Sequence, residues 1–232
     1  MVRRIAIWSG PRSLSTAFLR SWENRPDTEV WDEPLYAHYL QATGLEHPAR
    51  DAVIAEGEPD WQAVARRCST GGTQALFVQK HMAHHLLPHV DGPWLDQLTH
   101  VFLVRDPRRI VASYVRSRAE VTLDDIGLPQ LVSLRRRYPE APVVDSDALR
   151  SAPEATLRTL CESLGVSFTP RMLSWPAGPR DSDGVWAPHW YASVWRSTGF
   201  APPSGEPPPR LEGAYREIAE AALPLYRELL PA

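Results

Sequence analysis

Five short apolar runs set the strongest constraint on the fold, because each is too short for a helix and is bounded by polar or turn residues. They are IAIW (5–8), TEVW (28–31), ALFV (75–78), HVFLV (100–104) and the weaker PVV (142–144). Between these runs, apolar residues recur at helical spacing. The alternation of strands with helices predicts a three-layer α/β/α fold, in which a central parallel sheet of about four to five strands is covered on both faces.

The length and the charge of the chain narrow its class. With 232 residues, 43% of them hydrophobic, residues 1–232 are predicted to form a single domain. The formal net charge is −3 without long blocks of one sign, so no nucleic-acid partner is expected. The N-terminal apolar stretch is too short for a signal peptide or a membrane span, and only two cysteines occur. We therefore expect a cytoplasmic, disulfide-free protein with no membrane partner, and the sequence leaves its oligomeric state open.

Two segments in the C-terminal half predict helices. The run SAPEATLRTLCESLG places Ser151 as the N-cap, Glu154 as its capping-box partner and Gly165 at the stop. A proline-rich loop at 201–209 precedes a terminal helix, whose apolar face holds Leu211, Tyr215, Ile218, Ala222, Leu225 and Leu229.

The run IAIWSGPRSLSTAFLRSW (5–22) predicts a strand, a tight turn and a helix. In this geometry backbone N–H groups and the helix N-terminus converge on an anion. Gly10 permits the turn, Arg12 supplies a forked donor, and hydroxyl groups come from Ser13, Ser15 and Thr16. A Walker A loop needs Gly and Lys where Ser15 and Thr16 stand, so a magnesium-dependent nucleotide loop is disfavoured. The alternative is a capped helix with a solvated Arg12.

A second turn of the same kind follows the fourth strand. The run HVFLVRDPRRIVASY (100–114) predicts a strand ending at Arg105, a turn and a helix that carries Ser113. Two such turns, each with an arginine and a serine, could hold the two ends of one ligand that carries anions at both ends.

Both turns resemble motifs of the sulfotransferase family. Residues 11–16, PRSLST, are similar to its 5′-phosphosulfate loop, and Arg105 and Ser113 have the spacing of its 3′-phosphate motif; the similarity spans roughly residues 5 to 165. The resemblance implies a P-loop nucleotide-transferase-like fold. It also implies in-line transfer of a sulfuryl group from 3′-phosphoadenosine 5′-phosphosulfate (PAPS) to a hydroxyl or amine of a small-molecule acceptor, with a general base and no metal. The donor would be held by Gly10, Pro11, Arg12, Ser13, Leu14, Ser15, Thr16, Arg105 and Ser113.

The chain departs from the family pattern at two places. Leu14 stands where the family usually has glycine, so the backbone there must accept a side chain. The Gly- and Lys-rich C-terminal motif of many animal and plant members is absent, and DGVWAPHWYASVWRSTGF (183–200) stands in its place. This segment, with DEPLY and Lys-x-Met-Ala, is similar to a bacterial and plant branch of the family.

Glu33 is the first candidate for the base, because it follows the second strand at the carboxyl edge of the sheet. Alternation along the strand predicts that Asp32 points the other way. Lys80 resembles the lysine of the family's Lys-x-His segment and could stabilise the leaving phosphate. The histidine of that segment falls at Met82, so His81 is an alternative base. A structural Glu33 and a lysine retained by chance remain open.

Two other functions compete with sulfuryl transfer. An ATP-dependent P-loop kinase of small molecules would use Asp106 as its metal carboxylate. A non-catalytic module that binds an adenine nucleotide would keep the two arginine turns without needing Glu33 or Lys80. His81 and His85 have a spacing that could chelate a metal, but no third ligand is placed by the sequence, so no metal is expected.

Overall fold

The computed structural model describes residues 2–115, 121–203 and 205–230. Its centre is one sheet of five parallel strands, in the order β2-β3-β1-β4-β5. The strands are β1 (Arg3–Ser9), β2 (Thr28–Asp32), β3 (Leu76–Met82), β4 (Thr99–Val104) and β5 (Val143–Asp145). All five predicted runs are strands, and the predicted parallel sheet is confirmed.

Eleven helices accompany these strands in the described part of the chain. They are α1 (Ser15–Glu23), α2 (Tyr36–Thr43), α3 (Arg50–Glu56), α4 (Trp61–Thr70), α5 (Pro107–Tyr114), α6 (Leu128–Arg137), α7 (Ser146–Ser151), α8 (Pro153–Ser163), α9 (Ala187–Trp190), α10 (Ala192–Trp195) and α11 (Gly213–Leu229). Short 3₁₀ turns lie at Ala83–His85, Leu95–Gln97 and Pro170–Leu173. The described residues of 201–209 form the expected loop before α11, which continues through Pro224.

Side-chain alternation along β1 separates the two layers of helices. Ile5 and Ile7 pack with α1 and α8 on one face of the sheet, whereas Ala6 and Trp8 pack with α4, α5, α6 and α11 on the other. All four side chains are fully buried. Burial on both faces explains why the strands are continuous apolar runs, and it confirms the three-layer architecture.

The predicted capping box at the start of α8 is wrong. Ser151 is the last residue of α7, and its hydroxyl donates to the carbonyl of Asp147. Pro153 starts α8 and forces the residue before it, Ala152, out of helical conformation, so the chain breaks into two helices there. The predicted stop is confirmed, because Gly165 is left-handed (φ 61°) and its N–H donates to Glu162 O.

Strand β3 is longer than its apolar pattern predicts. It continues to Met82, and Lys80 lies inside it, paired in register with Ile7, instead of following it. The polar side chains are tolerated because each has a buried partner: Gln79 donates to the carbonyl of Cys68 at 2.8 Å, and Lys80 is paired with carboxylates. Both cysteines, Cys68 and Cys161, are free and buried. Across the described residues, no helix has the length and apolar character needed to cross a membrane.

Candidate active site

The predicted donor and catalytic residues, with the exception of His81, gather at the carboxyl edge of the sheet. Loops leave this edge after β1, β2, β3 and β4. The strand order reverses between β1 and β4, because β2 and β3 lie on one side of β1 and β4 and β5 on the other. Ligands of open α/β sheets bind in the crevice at such a point. A cavity of about 230 Å³ opens there. Its wall includes the predicted residues Pro11, Arg12, Ser13, Leu14, Ser15, Thr16, Glu33, Lys80, Arg105 and Ser113.

The loop after β1 is held in a strained backbone conformation. Arg12 (φ 59°) and Leu14 (φ 70°) are both left-handed, which costs roughly 1–2 kcal/mol per non-glycine residue. Strain of this kind persists where surrounding structure fixes it, typically at functional sites. Gly10 acts differently from the prediction: it is needed for close approach, because a Cβ there would lie 2.2 Å from the carbonyl oxygen of Ile126.

Direct hydrogen bonds join the two predicted anion turns. Arg12 Nε donates to Ser113 Oγ at 3.0 Å, and Arg105 Nη1 donates to the carbonyl oxygen of Arg12 at 2.6 Å. The hydroxyl of buried Ser146 adds contacts to Ser13 O at 2.7 Å and to Val104 O at 2.8 Å. The structure therefore brings both turns to one wall, as the sequence predicts, and Ser146 is a support that sequence motifs did not reveal.

The guanidinium of Arg105 lies in a crowd of like charges. Burial lowers its pKa, and although Asp147 opposes this, the positive charges of Arg150, Arg109 and Arg12 lower it further. Its Nε is buried and has no hydrogen-bond partner among the described residues. A half-buried charge whose Nε has lost water without gaining a partner is costly, so this group favours an anionic ligand.

A second cavity, of about 510 Å³, adjoins the first and shares Arg105 and Ser113 with it. The rest of its wall is the proline-rich segment and a helix face, with Arg109, Ala112, Glu206, Pro207, Pro208, Pro209 and Arg210. Arg109 Nη2 donates to the carbonyl of Glu206 at 2.6 Å and so ties the proline-rich segment to α5. Arg105 thus borders both cavities.

Lys80 is the centre of a buried polar network. Its Nζ lies 2.7 Å from Asp32 Oδ1, 2.9 Å from Glu33 Oε1 and 2.8 Å from the hydroxyl of Tyr191. A longer contact of 3.4 Å reaches the Thr16 hydroxyl in the first loop. Burial alone would lower the pKa of Lys80, but the two carboxylates outweigh it and raise the pKa well above its ordinary value. The ammonium is therefore charged, and it links the first loop to the end of β2.

Asp32 is part of this network, against the prediction that alternation would turn it away. The reason lies in the next residue, because Glu33 is left-handed (φ 43°) and its N–H donates to Lys80 O at 2.9 Å. The chain has already left extended geometry at Glu33, so the two side chains converge on the same ammonium.

Glu33, the first candidate for the base, lies on the cavity wall. Burial raises its pKa; Lys80 opposes that shift, and the negative charge of Asp32 adds to it. A carboxylate with a raised pKa is suited to taking a proton near neutral pH.

His81 is not brought to the cavity, so its proposed part as an alternative base is not supported. Successive strand residues face opposite sides, and His81 stacks on Trp8 with ring centroids 4.3 Å apart in the layer opposite to Lys80. Its Nε2 lies 3.2 Å from Gln79 Oε1, and burial lowers its pKa to about 3. It is a neutral core residue.

Histidines and aromatic residues line the rest of the cavity, and no sequence motif had assigned them to the donor or to catalysis. His85 stacks between Tyr36 and Tyr39 at centroid distances of 4.7 and 4.6 Å. Tyr191 comes from the segment that replaces the family's usual C-terminal motif, and that substitution was the only sequence signal for it. The described part of the chain holds no group of three or more His, Cys, Asp or Glu side chains able to bind a metal ion.

The sequence profile described as the sulfotransferase domain matches residues 3–231. The chain belongs to the sulfotransferase family. The match extends past residue 165, so the divergent segment 183–200 is part of the sulfotransferase domain.

Two proteins of Arabidopsis thaliana are similar to this sulfotransferase-family chain. "Branched-chain-amino-acid aminotransferase-like protein 1" is 40% identical over 96% of the chain, and "Branched-chain-amino-acid aminotransferase-like protein 2" is 36% identical over 97%. The chain spans only 40% and 41% of their lengths. The similarity therefore concerns the sulfotransferase-like part of these longer proteins.

Solved sulfotransferase structures share the fold. The sulfotransferase domain of the Synechococcus PCC 7002 olefin synthase has a TM-score of 0.60 at 19% identity, with 95% of each chain covered. The sulfotransferase domain from the curacin biosynthetic pathway has a TM-score of 0.53 at 18% identity, covering 95% of this chain and 97% of its own. A sulfotransferase from Alicyclobacillus acidocaldarius has 0.55 at 13% identity, covering 99% and 94%. At such identities the likeness shows the α/β architecture alone.

Proposed function

We propose that this chain transfers a sulfuryl group from PAPS to a hydroxyl or amine of a small-molecule acceptor. One observation carries the proposal: Arg105, half-buried among like charges and with no hydrogen-bond partner for its Nε among the described residues, lies on the wall shared by two adjoining cavities. Such a position suits a ligand whose anionic group contacts Arg105 while its other parts occupy the two cavities. The family membership supports the choice of PAPS over other doubly anionic ligands.

The donor would be held by the two joined turns. The backbone and hydroxyl groups of residues 11–16 would bind the 5′-phosphosulfate end, whereas Arg105 and Ser113 would bind the 3′-phosphate. The second cavity, with its proline wall, offers space for part of the nucleoside. The hydrogen bond between Arg12 and Ser113 supports this assignment, because it fixes the distance between the two turns before the donor binds.

The transfer step assigns one task to each catalytic group. The acceptor oxygen or nitrogen attacks sulfur and loses its proton to the Glu33 carboxylate, while the bond between sulfur and the bridging phosphate oxygen breaks. The electron pair of that bond goes to the phosphate, whose growing charge the Lys80 ammonium stabilises. The products are the sulfated acceptor, 3′-phosphoadenosine 5′-phosphate (PAP) and a protonated Glu33. Lys80 lies 2.9 Å from Glu33, which supports concerted use of the two groups.

The acceptor would occupy the aromatic part of the first cavity. Tyr36, His85 and Trp190 line this side, where Glu33 is the acidic residue of the wall. Burial and the neighbouring positive charges lower the pKa of His85 well below its ordinary value, so that this wall is uncharged there. These features favour a small hydroxylated or aromatic acceptor.

The kinase alternative is disfavoured by the surroundings of Asp106. Its Oδ1 accepts the backbone N–H of Arg108 at 2.9 Å and caps α5, and its Oδ2 accepts from Arg108 Nη2 at 2.6 Å. A carboxylate engaged in a cap and an ion pair is poorly placed to hold a nucleotide-bound metal. We retain the proposal that transfer needs no metal and that residues 1–232 form one domain, which the single sheet and its two helical layers support.

Binding and turnover separate the three functions. Thermal unfolding is measured with PAP and with ATP plus magnesium, and [³⁵S]PAPS is incubated with panels of phenols, alcohols, amines and sugars. At one hundred times its Kd, PAP is expected to stabilise the fold by about 2.7 kcal/mol, and ATP by much less. A larger effect of ATP with magnesium would favour the kinase. PAP binding without label transfer to any acceptor would favour the binding module.

The substitution E33Q tests the catalytic assignment in the same assays. The amide keeps the size of the side chain but cannot take a proton, so PAP stabilisation should persist while label transfer falls by at least about 100-fold. Equal loss of binding and transfer would instead make Glu33 a structural residue.

A further inference from the structure

Two adjacent carboxylates share one ammonium in the buried network, although only one carboxylate is needed as a base. Asp32 and Glu33 lie 2.7 and 2.9 Å from Lys80 Nζ, and Lys80 is the only lysine of the chain. Side-chain exposure is 2% for Asp32 and 11% for Glu33. One ammonium cannot neutralise two carboxylates, and the two negative charges repel each other. Other contacts must therefore decide which of the two carboxylates takes up a proton more readily.

Tyr191 provides that distinction. Its hydroxyl lies 2.8 Å from Lys80 Nζ and 3.0 Å from Trp186 Nε1, both of which donate to it. Its own proton is donated to Asp32 Oδ2 at 2.6 Å, and Glu33 Oε1 is farther away at 3.3 Å. The hydroxyl has one proton and two lone pairs, and these three contacts use them all.

The two carboxylates consequently have different surroundings. Asp32 has Lys80 on one oxygen and Tyr191 on the other, and it is not part of the cavity wall. Glu33 lines the cavity, and among the described residues both of its side-chain contacts fall on Oε1. Its Oε2 is therefore the oxygen that can meet an incoming proton.

We propose that Asp32 and Tyr191 are positioning residues that set the proton affinity of Glu33: Asp32 is the fixed countercharge of Lys80, and the hydrogen bond from Tyr191 holds its carboxylate in place. The negative charge of Asp32 makes Glu33 a stronger base. The Tyr191 hydroxyl acts in the opposite direction, because a hydrogen-bond donor stabilises the charged carboxylates. This inference rests on the proposed function, in which Glu33 takes the acceptor's proton.

Other charged and titratable groups also face Glu33. Lys80 approaches from β3, and the cavity wall adds His47, His84 and His85 together with Arg12 and Arg105. The substitutions below leave all of these in place. A change in the titration of Glu33 can thus be attributed to the residue that was replaced.

The two substitutions should move the acidic limb of the kcat/KM profile in opposite directions. D32N removes the neighbouring negative charge, so the limb should shift to lower pH by about one unit. Y191F removes a donor to the carboxylate pair, so the limb should shift to higher pH. A merely structural role would lower the rate without moving the limb, and that result in both variants would overturn the proposal. Shifts in the same direction would overturn it as well.

Y36F is the matched control, because its hydroxyl lies on the same cavity but is 2.9 Å from His47 Nδ1 instead of the carboxylates. It should leave the position of the limb unchanged, whatever its effect on rate. If D32N does not fold, Y191F and Y36F still test the proposal. A shift of the acidic limb to higher pH in Y191F but not in Y36F supports it, and an acidic limb at the same pH in both variants overturns it.

A titration without turnover separates this inference from the proposed function. The Glu33 carboxyl is followed by ¹³C NMR in PAP-bound protein and assigned by its absence in E33Q. Its pKa should lie above the ordinary value, fall in D32N and rise in Y191F. If these pKa shifts occur in a protein that transfers no label, the positioning roles of Asp32 and Tyr191 are supported and the proposed sulfuryl transfer is contradicted. Label transfer with no shift in either variant would do the reverse.

Discussion

Arg12 and Ser113 lie 101 positions apart in the sequence, and Arg12 Nε donates to Ser113 Oγ at 3.0 Å. One residue belongs to the turn after β1 and the other to the helix after β4, so this bond fixes the distance between two anion-binding turns. Arg105 strengthens the link through its 2.6 Å contact with the Arg12 carbonyl. Under the proposed function, the two turns would form one preorganised site for a donor that is charged at both ends.

Removal of the Arg105 guanidinium should weaken binding selectively. R105A is expected to cost about 2–5 kcal/mol of binding free energy for PAP, because the charged contact that we propose between Arg105 and the 3′-phosphate is lost. Adenosine 5′-phosphate, which lacks that group, should lose much less. Isothermal titration calorimetry with both nucleotides measures the difference. R158A, at an exposed pair with Glu154, is the control and should bind like wild type. Equal losses for the two nucleotides would contradict the assignment of Arg105.

Lys80 should also contribute to stability. K80M leaves Asp32 and Glu33 buried without their cation, so the free energy of unfolding at pH 8 should fall by about 3–5 kcal/mol. The loss should shrink towards pH 5, because burial raises the pKa of Glu33 and its carboxylate can take up a proton there. Urea unfolding at both pH values measures it. The double variant E33Q/K80M should be more stable than K80M at pH 8, because one uncompensated charge is gone. A loss that is independent of pH would argue against the charge network.

Gly10 should not tolerate even one methyl group. In G10A the new Cβ would meet the carbonyl oxygen of Ile126 at 2.2 Å, and the backbone must shift to relieve it. We expect a loss of about 1–3 kcal/mol in stability and weaker PAP binding, because the loop after β1 moves. G92A is the matched control, since its nearest contact is an ordinary 3.7 Å to Trp94. Similar melting temperatures for the two variants would show that the loop has room.

His81 should make stability depend on pH. Burial lowers its pKa from 6.5 to about 3, so the folded protein keeps it neutral while the unfolded chain binds a proton below pH 6.5. Stability is fully present above that pH and is lost as pH falls towards 3, by up to about 1.4 kcal/mol per pH unit. His100 adds a similar effect, because burial lowers its pKa to about 4.

The variant H81F isolates this contribution, since a phenyl ring can keep the stacking on Trp8 but cannot be protonated. Between pH 4 and 6 its unfolding free energy should change less steeply than that of wild type, by about one proton. Urea unfolding across this range tests the expectation, and measurements at pH 8 give the packing cost of the substitution separately. Parallel curves for the two proteins would show that His81 does not titrate on unfolding.

Local patterns determined much of this protein. The five strands, the helices after the two turns and the left-handed stop at Gly165 follow from apolar periodicity and turn chemistry, which act within a few residues. The placement of Arg12, Glu33, Lys80, Arg105 and Ser113 at one edge of the sheet also follows, because parallel strands put their carboxyl ends together.

Only the tertiary structure decided how polar residues are partnered. Tyr191 reaches Lys80 across 111 positions, Ser146 supports Ser13 across 133, and the left-handed backbone of Glu33 brings its carboxylate to the same ammonium as that of Asp32. His81 is adjacent to Lys80 yet belongs to the opposite layer. Sequence periodicity describes which face of an element is apolar, but the partner of a buried charge comes from a distant segment whose approach depends on the whole packing arrangement.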